Sequence, residues 1–566
     1  MTFARLAVRL LLWSFVFTTW AQEPYDIVLL GGKIVDGTGN AWFYGDLGIR
    51  GDRIARITPA GLLDSVPARL RVNVRGLVVA PGFIDIQSHS RGAFLFGDGR
   101  VLSKITQGIT TEIMGEGFTD APVNDRMVSF YGPVTANESK IIGGFKGDRG
   151  FDAWLKAMHE RGTSPNIGSF VGANNIRMYV KGMEPGAATI NELEQMRTLV
   201  RRSMEDGAFG IASALIYPPG IYADTEELVE LAKAMAAYGG VYITHMRSEA
   251  DRFIEALDEA IDIGRRGGVP VEIYHLKAAG VHNWDKARLA IEKINGAREA
   301  GLDIGADMYA YVAGSTSLEA CLPPSSAAGG KLLERLKDPN QRAIIRAEAL
   351  KDGADWEQMC KLATPENVLI VGVAEPGNNK WLGKRLSEIA AEQRKHYIDA
   401  AIDLIVSERG GPGTVFFLMS EDNIRLQLQQ AWIKFGTDAA GLDPAKSTGL
   451  DHPRSYGNFP RVLGKYVREE RVIPLEDAIR KMTSAVAARL SIHDRGVLKP
   501  GMYADLVAFD PATITDRATF EKPHQLSIGM SHVVVNGSFV LRDGAHTGAF
   551  PGRIVRGPGY QPRSTP

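Results

Sequence analysis

The feature that most constrains the fold is an alternation of apolar, strand-like runs and helical stretches between residues 239 and 309. Predicted strands at Gly239–His245, Val269–His275 and Asp303–Tyr309 are separated by predicted helices, from about Ala250 to Arg266 and from about Trp284 to Ala300. A β–α–β–α–β succession of this kind indicates a parallel sheet. Polar residues stand at the C-terminal ends of these strands, the edge that carries the active site in a (β/α)8 barrel.

The two ends of the chain differ from this middle region, because they consist of short β runs broken by glycine. Tyr25–Gly39 predicts a strand, a Gly-Gly turn and a second strand, and Gly45–Ile57 repeats the pattern around a Gly-Asp turn. Gly501–Asp510 and Ser531–Leu541 predict strands near the other end. Short strands with glycine turns are typical of a small β domain. We expect the two terminal blocks to form one sheet system, with the large middle region inserted between them.

The sequence therefore predicts a division into consecutive parts. Residues 22–80 form the first part of the β domain, residues 81–490 the barrel, and residues 491–566 the second part of the β domain. From about residue 319 to residue 413 the βα rhythm is broken by a helical, charged segment, which we interpret as an insertion over the barrel mouth. Two interpretations of this insertion stay open: a lid over the substrate, or an additional helical layer with no catalytic role.

The first 21 residues have the features of a secretory signal peptide. Arg5 and Arg9 form a basic start, and Leu10–Trp20 is an apolar run too short to span a bilayer comfortably. Thr19 and Ala21 are small residues at the −3 and −1 positions of a cleavage site. The alternative is an uncleaved membrane anchor. Cleavage predicts a periplasmic or secreted protein with no membrane association after the signal is removed.

The composition is that of a globular protein, with 45% apolar and 23% charged residues. The 65 basic residues nearly balance the 66 acidic ones, so nothing in the charge balance indicates nucleic acid or a membrane surface as a partner. Cys321 and Cys360 are the only cysteines, which excludes a Cys-rich zinc site. The sequence leaves open whether they form a disulfide, and it carries no information on the oligomeric state.

Histidine and carboxylate residues at predicted strand ends are the candidates for metal binding and catalysis. His245 and His275 end consecutive strands, and adjacent barrel strands can bring two imidazoles to one metal ion. A single His at a strand end is more often a structural residue, but a pair on neighbouring strands favours ligands. His89, Glu116 and Asp438 end three further apolar runs. An aspartate near a metal acts as ligand, as general base or as both.

The order of these motifs resembles the amidohydrolase superfamily and, within it, the D-aminoacylase group of N-acyl-D-amino-acid deacylases. The resemblance covers nearly the whole chain after the signal segment. It is carried by Ile27–Gly39, Pro81–Asp85, Gly207–Gly220, Thr244–Glu249, His275–Lys277, Asp307–Thr316, His452–Gly457 and Gly496–Asp510. Of these, Gly207–Gly220 and His452–Gly457 are specific to the D-aminoacylase group.

The resemblance implies a (β/α)8 TIM-like barrel beside a small β-sandwich domain, with a metal site at the barrel mouth. His245 and His275 match the paired histidine ligands of the family, and Asp438 matches the aspartate that serves as general base. Two positions depart from the family pattern. The first motif is usually His-x-His, whereas this chain has glutamine at position 87, followed by Ser and His89. Many D-aminoacylases carry a metal-binding Cys in an Asn-Cys segment, and Glu116 falls one place before it.

A carboxylate ligates zinc, whereas the neutral amide of glutamine does so poorly. The resemblance therefore implies one tight Zn²⁺ with the ligands Glu116, His245 and His275. At most one weak second metal is expected, with the ligands His89 and Asp438. Other divalent metals stay open.

The resemblance also implies how the substrate is held. Lys277, Tyr309 and Arg454 match positions that bind the α-carboxylate of the substrate. Lys and Arg suit this role because they are cationic, and Arg can bind a carboxylate bidentately. The alternative for Lys277 and Arg454 is a structural salt bridge. The implied reaction is hydrolysis of the amide bond of a small N-acyl amino acid, of D configuration in the family.

Two other functions stay open at this point. The same scaffold serves dipeptidases and cyclic-amide hydrolases, which lack Lys277 and Arg454 as a set. A protein that has lost catalysis and only binds a ligand is the second alternative, and the glutamine at position 87 favours it. The joint presence of His245, His275 and Asp438 argues against this second alternative.

Overall fold

The computed structural model describes residues 23–130, 136–353 and 355–562. The predicted signal peptide, residues 1–21, lies outside the described residues. Of the helices within the described ranges, none has both the length and the apolar character needed to cross a membrane.

The chain begins in the predicted β block. Its strands are β1 (Tyr25–Ile34), β2 (Phe43–Arg50), β3 (Arg53–Pro59), β4 (Ala68–Asn73) and β5 (Val78–Pro81). The Gly-Asp turn predicted between β2 and β3 is confirmed, because Arg50 pairs with Arg53. The predicted Gly-Gly turn is wrong. Strand β1 continues through Gly31 and Gly32 as a bulge, and the N–H of Gly31, at φ 72°, donates to Asp46 instead.

A ring of parallel strands follows. Its first seven positions are taken by β6 (Phe83–Asp85), β7 (Ile109–Met114), β8 (Asn166–Ser169) with its continuation β9 (Val171–Gly172), β10 (Gly210–Ala214), β11 (Val241–His245), β12 (Val271–Ile273) and β13 (Ile304–Met308). All pairings between neighbours are parallel. Every residue of these strands is buried, as expected for a sheet covered on both faces, and the apolar runs are interrupted by buried acids at Asp85, Glu112, Glu272 and Asp307.

Helices connect these strands and cover the ring. They are α1 (Arg91–Leu95), α2 (Leu102–Ile105), α3 (Asp125–Phe130), α4 (Ala136–Gly143), α5 (Gly150–Glu160), α6 (Ala173–Val180), α7 (Ile190–Glu205), α8 (Thr225–Ala236), α9 (Phe253–Gly267) and α10 (Lys286–Glu299). Thr189 and Glu192 form a capping box that begins α7. Helix α9 ends at Gly268, which adopts the left-handed conformation that lets the chain turn back into β12.

After β13 the chain leaves the ring and forms the predicted insertion. This unit contains β14 (Ala313–Ser317), α11 (Leu332–Lys337), α12 (Pro339–Ala349), α13 (Met359–Ala363), β15 (Val368–Gly372), α14 (Leu386–Gln393), α15 (Tyr397–Glu408) and β16 (Gly413–Phe417). The unit extends beyond the predicted residues 319–413, because β14 and nearly all of β16 lie outside them. It is also not only helical, since β14, β16 and β15 pair as an antiparallel sheet. The insertion has an apolar core of its own, and a disulfide joins Cys321 to Cys360 within it.

The ring closes after the insertion. Helix α16 (Glu421–Leu428) leads to β17 (Ile433–Phe435), which pairs with β13. A parallel bridge between Ser88 and Ala439 joins the β17 end to the β6 end, so eight strand positions form a closed barrel. Helix α17 (Arg454–Arg461), a π-helical stretch (Val462–Glu469), α18 (Leu475–Met482) and α19 (Ser484–Arg489) follow.

The C-terminal strands complete the β domain. They are β18 (Leu506–Phe509), β19 (Met530–Val535), β20 (Ser538–Arg542) and β21 (Ala545–His546). Strand β18 pairs antiparallel with β5, so both terminal blocks belong to one nine-stranded sheet and share one apolar core. The predicted fold class is confirmed: a (β/α)8 barrel, a small β domain built from both termini, and an insertion at the barrel mouth.

Candidate active site

One cavity of about 720 Å³ lies at the C-terminal ends of the barrel strands. The eight residues singled out from the sequence all line it: His89, Glu116, His245, His275, Lys277, Tyr309, Asp438 and Arg454. Most of them stand at the end of a barrel strand or within a few residues of it. Because the carboxyl ends of parallel strands meet at one edge, residues far apart in the sequence converge here.

Three donor atoms converge on one point of this cavity. Oε1 of Glu116 lies 3.1 Å from Nδ1 of His245 and 3.1 Å from Nε2 of His275. A carboxylate with two imidazoles is a ligand set that zinc takes in catalytic sites, where a further position stays open for water or substrate. The residues present therefore fit a metal ion in chemical type and in spacing.

The charges around these atoms also favour a cation. Burial raises the pKa of Glu116, but the neighbouring His275 and His245 hold it well below its usual range. Burial lowers the pKa of His275, but the carboxylates of Glu249 and Glu116 raise it well above its usual range. The pocket therefore has an excess of negative potential that draws a proton onto the imidazole. A divalent metal ion would meet the same potential.

Glu249 contacts both histidines from the side opposite Glu116. Its Oε1 lies 3.0 Å from Nδ1 of His275, and its Oε2 lies 3.5 Å from Nε2 of His245. A metal-binding histidine commonly directs its second ring nitrogen to a carboxylate, which fixes the tautomer and the ring orientation. Glu249 is placed to do this for His275, whereas Nε2 of His245 has no hydrogen-bond partner among the described residues. Nε2 of His275 and Nδ1 of His245 face Glu116.

A second set of donor atoms shares Glu116 with the first. Nε2 of His89 lies 3.3 Å from Oε2 of Glu116 and 2.9 Å from Oδ1 of Asp438. The amide Nε2 of Gln87 donates to the same Oε2 of Glu116 at 2.5 Å. The oxygen that would face a second metal therefore already accepts a hydrogen bond. This contact gives a physical reason why a second metal would be held less tightly.

Asp438 is held in a fixed position next to these atoms. Its backbone N–H donates to the carbonyl of Gln87 at 2.8 Å, and its Oδ2 lies 2.7 Å from the guanidinium of Arg454. Its φ of 50° is in the left-handed region, which costs energy for a residue with a Cβ and clusters at functional sites. Burial raises the pKa of Asp438, but the charge of Arg454 lowers it below the usual range, so the carboxylate is ionised at neutral pH.

The three residues predicted to hold the substrate carboxylate lie along one wall. The guanidinium carbon of Arg454 is 4.5 Å from the ring centre of Tyr309, whose buried hydroxyl has no partner among the described residues. Lys277 Nζ donates to both oxygens of Glu249 at 2.7 Å and contacts Nδ1 of His275 at 2.7 Å. The salt bridge considered for Lys277 is therefore present, although its side chain also lines the cavity.

A buried ion pair lies beneath the site. Lys104 Nζ, on α2, donates to Asp85 Oδ2 at 2.7 Å, and both side chains are 0% exposed. Asp85 also accepts from the backbone N–H of Thr437 at 2.9 Å. Glu112 lies 3.5 Å from the same ammonium. This network joins the end of β6 to the residue before Asp438, and so it helps to fix the position of that carboxylate.

Comparison with known proteins agrees with this geometry. The model of the amidohydrolase family matches residues 71–541, which is most of the chain. The D-aminoacylase of Alcaligenes xylosoxydans xylosoxydans is 36% identical over 535 residues, covering 94% of this chain and 98% of the relative. The chain belongs to the amidohydrolase family. The predicted resemblance is thereby confirmed.

Two solved structures resemble this amidohydrolase, and each comparison covers 94% of this chain and 100% of the other chain. The first belongs to a study of the binuclear metal centre of D-aminoacylase, with one-metal activation and second-metal attenuation; its TM-score is 0.78 at 33% identity. The second is N-acyl-D-glutamate deacylase from Bordetella bronchiseptica, complexed with zinc and a phosphonate that mimics the tetrahedral intermediate. Its TM-score is 0.77 at 31% identity.

Glu249 and Glu357, two of the acidic residues that line the cavity of this amidohydrolase, were not predicted from the sequence. Glu249 lies four residues after His245, at the end of Thr244–Glu249, a segment that carries the family resemblance. A carboxylate at that spacing, on the loop after a strand that carries a metal ligand, could have predicted a contact with the site. Glu357 lies in the insertion, far in sequence from any strand end of the barrel, and no local pattern marks it.

Proposed function

We propose that this protein is a metal-dependent deacylase that hydrolyses the amide bond of N-acyl amino acids, with preference for the D configuration. The observation that carries the proposal is the pair of donor sets that share Glu116, the second of which includes the ionised carboxylate of Asp438. The identities to D-aminoacylase and to N-acyl-D-glutamate deacylase support the substrate class and the D configuration.

We propose zinc as the metal, held by Glu116, His245 and His275. Bound zinc supplies Lewis acidity, which polarises an amide carbonyl and makes a water molecule more acidic. The second set is weaker, since Gln87 already donates to Glu116 and supplies no imidazole. We therefore expect about one tightly held zinc per chain.

The chain's own residues perform the remaining steps. Asp438 accepts a proton from the attacking water, whose oxygen bonds to the carbonyl carbon of the substrate. The same carboxyl then gives its proton to the departing nitrogen as the carbon–nitrogen bond breaks. The products are a carboxylate and a free amino acid, and no covalent enzyme intermediate is formed.

The wall of Lys277, Tyr309 and Arg454 orients the amino-acid half of the substrate. The hydroxyl of Tyr309, which has no partner within the described ranges, and the guanidinium of Arg454 line the cavity and can meet an α-carboxylate. Because Arg454 also pairs with Asp438, substrate binding and the position of the base are coupled through one side chain. Holding the carbonyl beside the metal in this way lowers the entropic part of the barrier.

The test uses the chain from Gln22 onward, purified and analysed for metal content by elemental analysis. The same preparation is assayed with N-acetyl-D-methionine and N-acetyl-L-methionine. About one zinc per chain and faster release of acetate from the D substrate are expected. A metal-loaded protein that releases acetate from neither substrate would contradict the proposal.

We also propose that the protein is exported and works in the periplasm or outside the cell. The basic start and the apolar run of residues 1–21 support this, and so does the disulfide between Cys321 and Cys360, because disulfides persist in oxidising compartments. N-terminal sequencing of the protein recovered from its producing cells should begin at Gln22. An intact N-terminus at Met1 would contradict cleavage.

A further inference from the structure

The insertion contributes a carboxylate to the active-site cavity. Glu357 lies just before helix α13 and lines the cavity described above. Its carboxylate accepts a hydrogen bond from the backbone N–H of Glu249, the residue that contacts both histidine rings. Glu357 therefore stands within the substrate cavity, beside the groups that orient the metal ligands.

Glu357 has no cationic partner among the residues that the structure describes. The nearby ammonium of Lys277 is already held by both oxygens of Glu249, at 2.7 Å each. Burial and the charge of Glu249 together raise the pKa of Glu357 to about 7, although the backbone N–H of Glu249, the charge of Lys277 and the hydroxyl of Ser248 act to lower it. A half-buried carboxylate without a counter-charge is costly to keep in a protein wall. A ligand that brings a positive charge would remove this cost.

The space next to Glu357 suits an aliphatic chain. A side chamber of about 100 Å³ adjoins the main cavity, and it is lined mostly by apolar groups that include Ile216, Leu322 and Met359. Glu357 belongs to the walls of both spaces. A second acid, Glu319, lies at the chamber, and burial raises its pKa as well. An apolar passage with carboxylates in its wall matches a methylene chain that ends in a cation.

In the proposed binding mode, the amino-acid half of the substrate lies towards this chamber. Lys277, on the wall that orients the α-carboxylate, donates to Glu249, and the backbone N–H of Glu249 donates to Glu357, so Glu357 lies next to that wall. A substrate held there by its α-carboxylate has its Cα, and hence its side chain, near Glu357. The acyl group is attached to the same Cα through the α-nitrogen, and its carbonyl must reach the metal ligands.

We propose that Glu357 makes this enzyme selective for N-acyl amino acids whose side chain ends in a cation, as in lysine or arginine. The inference rests on the proposed deacylase function and names its substrate class. The ammonium or guanidinium of the side chain would form a charge-assisted hydrogen bond with Glu357, while its methylenes contact the apolar lining.

The test compares two substrates of equal chain length, N-acetyl-D-lysine and N-acetyl-D-norleucine, which differ by the terminal ammonium. For the natural protein, kcat/KM should be about ten- to hundredfold higher for the lysine substrate, since hydrogen bonds to charged groups contribute about 1.5–3 kcal/mol. Glu357→Gln keeps the size of the side chain and removes its charge. It should bring the ratio of the two kcat/KM values close to one, mainly through KM for the lysine substrate.

The matched control is Glu366→Gln, which makes the same change at an exposed glutamate of the same insertion, outside the walls of these two cavities. It should leave the ratio as it is in the natural protein. Zinc content and circular dichroism show whether each variant is folded. The comparison of the two substrates on the natural protein needs no variant.

The outcomes separate the two proposals. Hydrolysis of both substrates with equal or better turnover of norleucine overturns the inference and leaves the deacylase function intact. An unchanged ratio in folded Glu357→Gln also overturns the role of Glu357. Release of acetate from neither substrate by zinc-loaded protein overturns both proposals.

Discussion

Replacing Lys104 with methionine tests whether the buried network under the active site holds the barrel together. Methionine fills most of the space of the lysine stem but cannot donate to Asp85. The carboxylate of Asp85, 0% exposed, then keeps its hydrogen bonds from Thr437 but loses its cation. Breaking a buried ion pair by removing one partner costs about 3–5 kcal/mol, because the other charge stays buried.

The size of the change in Tm follows from the length of the chain. With an unfolding entropy of about 2.1 cal/mol/K per residue, 566 residues give about 1.2 kcal/mol/K. A loss of 3–5 kcal/mol therefore lowers Tm by about 2.5–4 °C. Differential scanning calorimetry of the natural protein and of Lys104→Met at one scan rate measures this shift.

A matched control is Lys293→Met, which breaks a helix-surface pair with Asp258 at 2.6 Å. Since exposed pairs contribute about 0–1 kcal/mol, Tm should change by less than 1 °C or so. The double variant Lys104→Met with Asp85→Asn should be more stable than Lys104→Met alone, because the unpaired charge is gone. An unchanged Tm for Lys104→Met, or no recovery in the double variant, would refute the reasoning.

Three further predictions concern the metal, the base and the insertion. Asp438→Asn should lower kcat by about 10²–10⁴-fold while zinc content stays the same, and near-normal turnover would remove Asp438 from the role of base. Gln87→His should raise tightly bound zinc from about one to about two per chain by elemental analysis, and a constant value would show that Gln87 does not limit the second site. Replacing Cys321 and Cys360 with serine opens a loop with a sequence separation of 39 residues and should cost about 3–4 kcal/mol. Urea unfolding measures this cost, and an unchanged midpoint would contradict it.

The pattern of residues 239–309 was sufficient for three parallel strands, because helical stretches separate them, and the complete barrel followed from the family resemblance. Helix α9 begins three residues later than predicted, and α10 lies within its predicted range. His245 and His275 converge because they follow adjacent parallel strands, and this proximity could be predicted from the sequence alone.

Other features depend on contacts that no local pattern records. The sheet of the insertion pairs Ala313 with Phe417, which lie far apart in the sequence. Its strands are also short. The Gly-Gly pair in β1 is a bulge because Asp46, on the neighbouring strand, accepts its N–H. The position of Glu357 in the cavity wall depends on how the whole insertion folds over the barrel.

The pairing of β5 with β18 has a consequence for the order in which this protein can fold. Ala80 and Val507 are neighbours in the sheet, but most of the chain lies between them. During synthesis the N-terminal strands therefore emerge long before their partners and wait with an unpaired edge. The β domain is completed only when the last strands have left the ribosome. In a chain truncated before β18, the N-terminal strands would therefore also be left without their pairing partners.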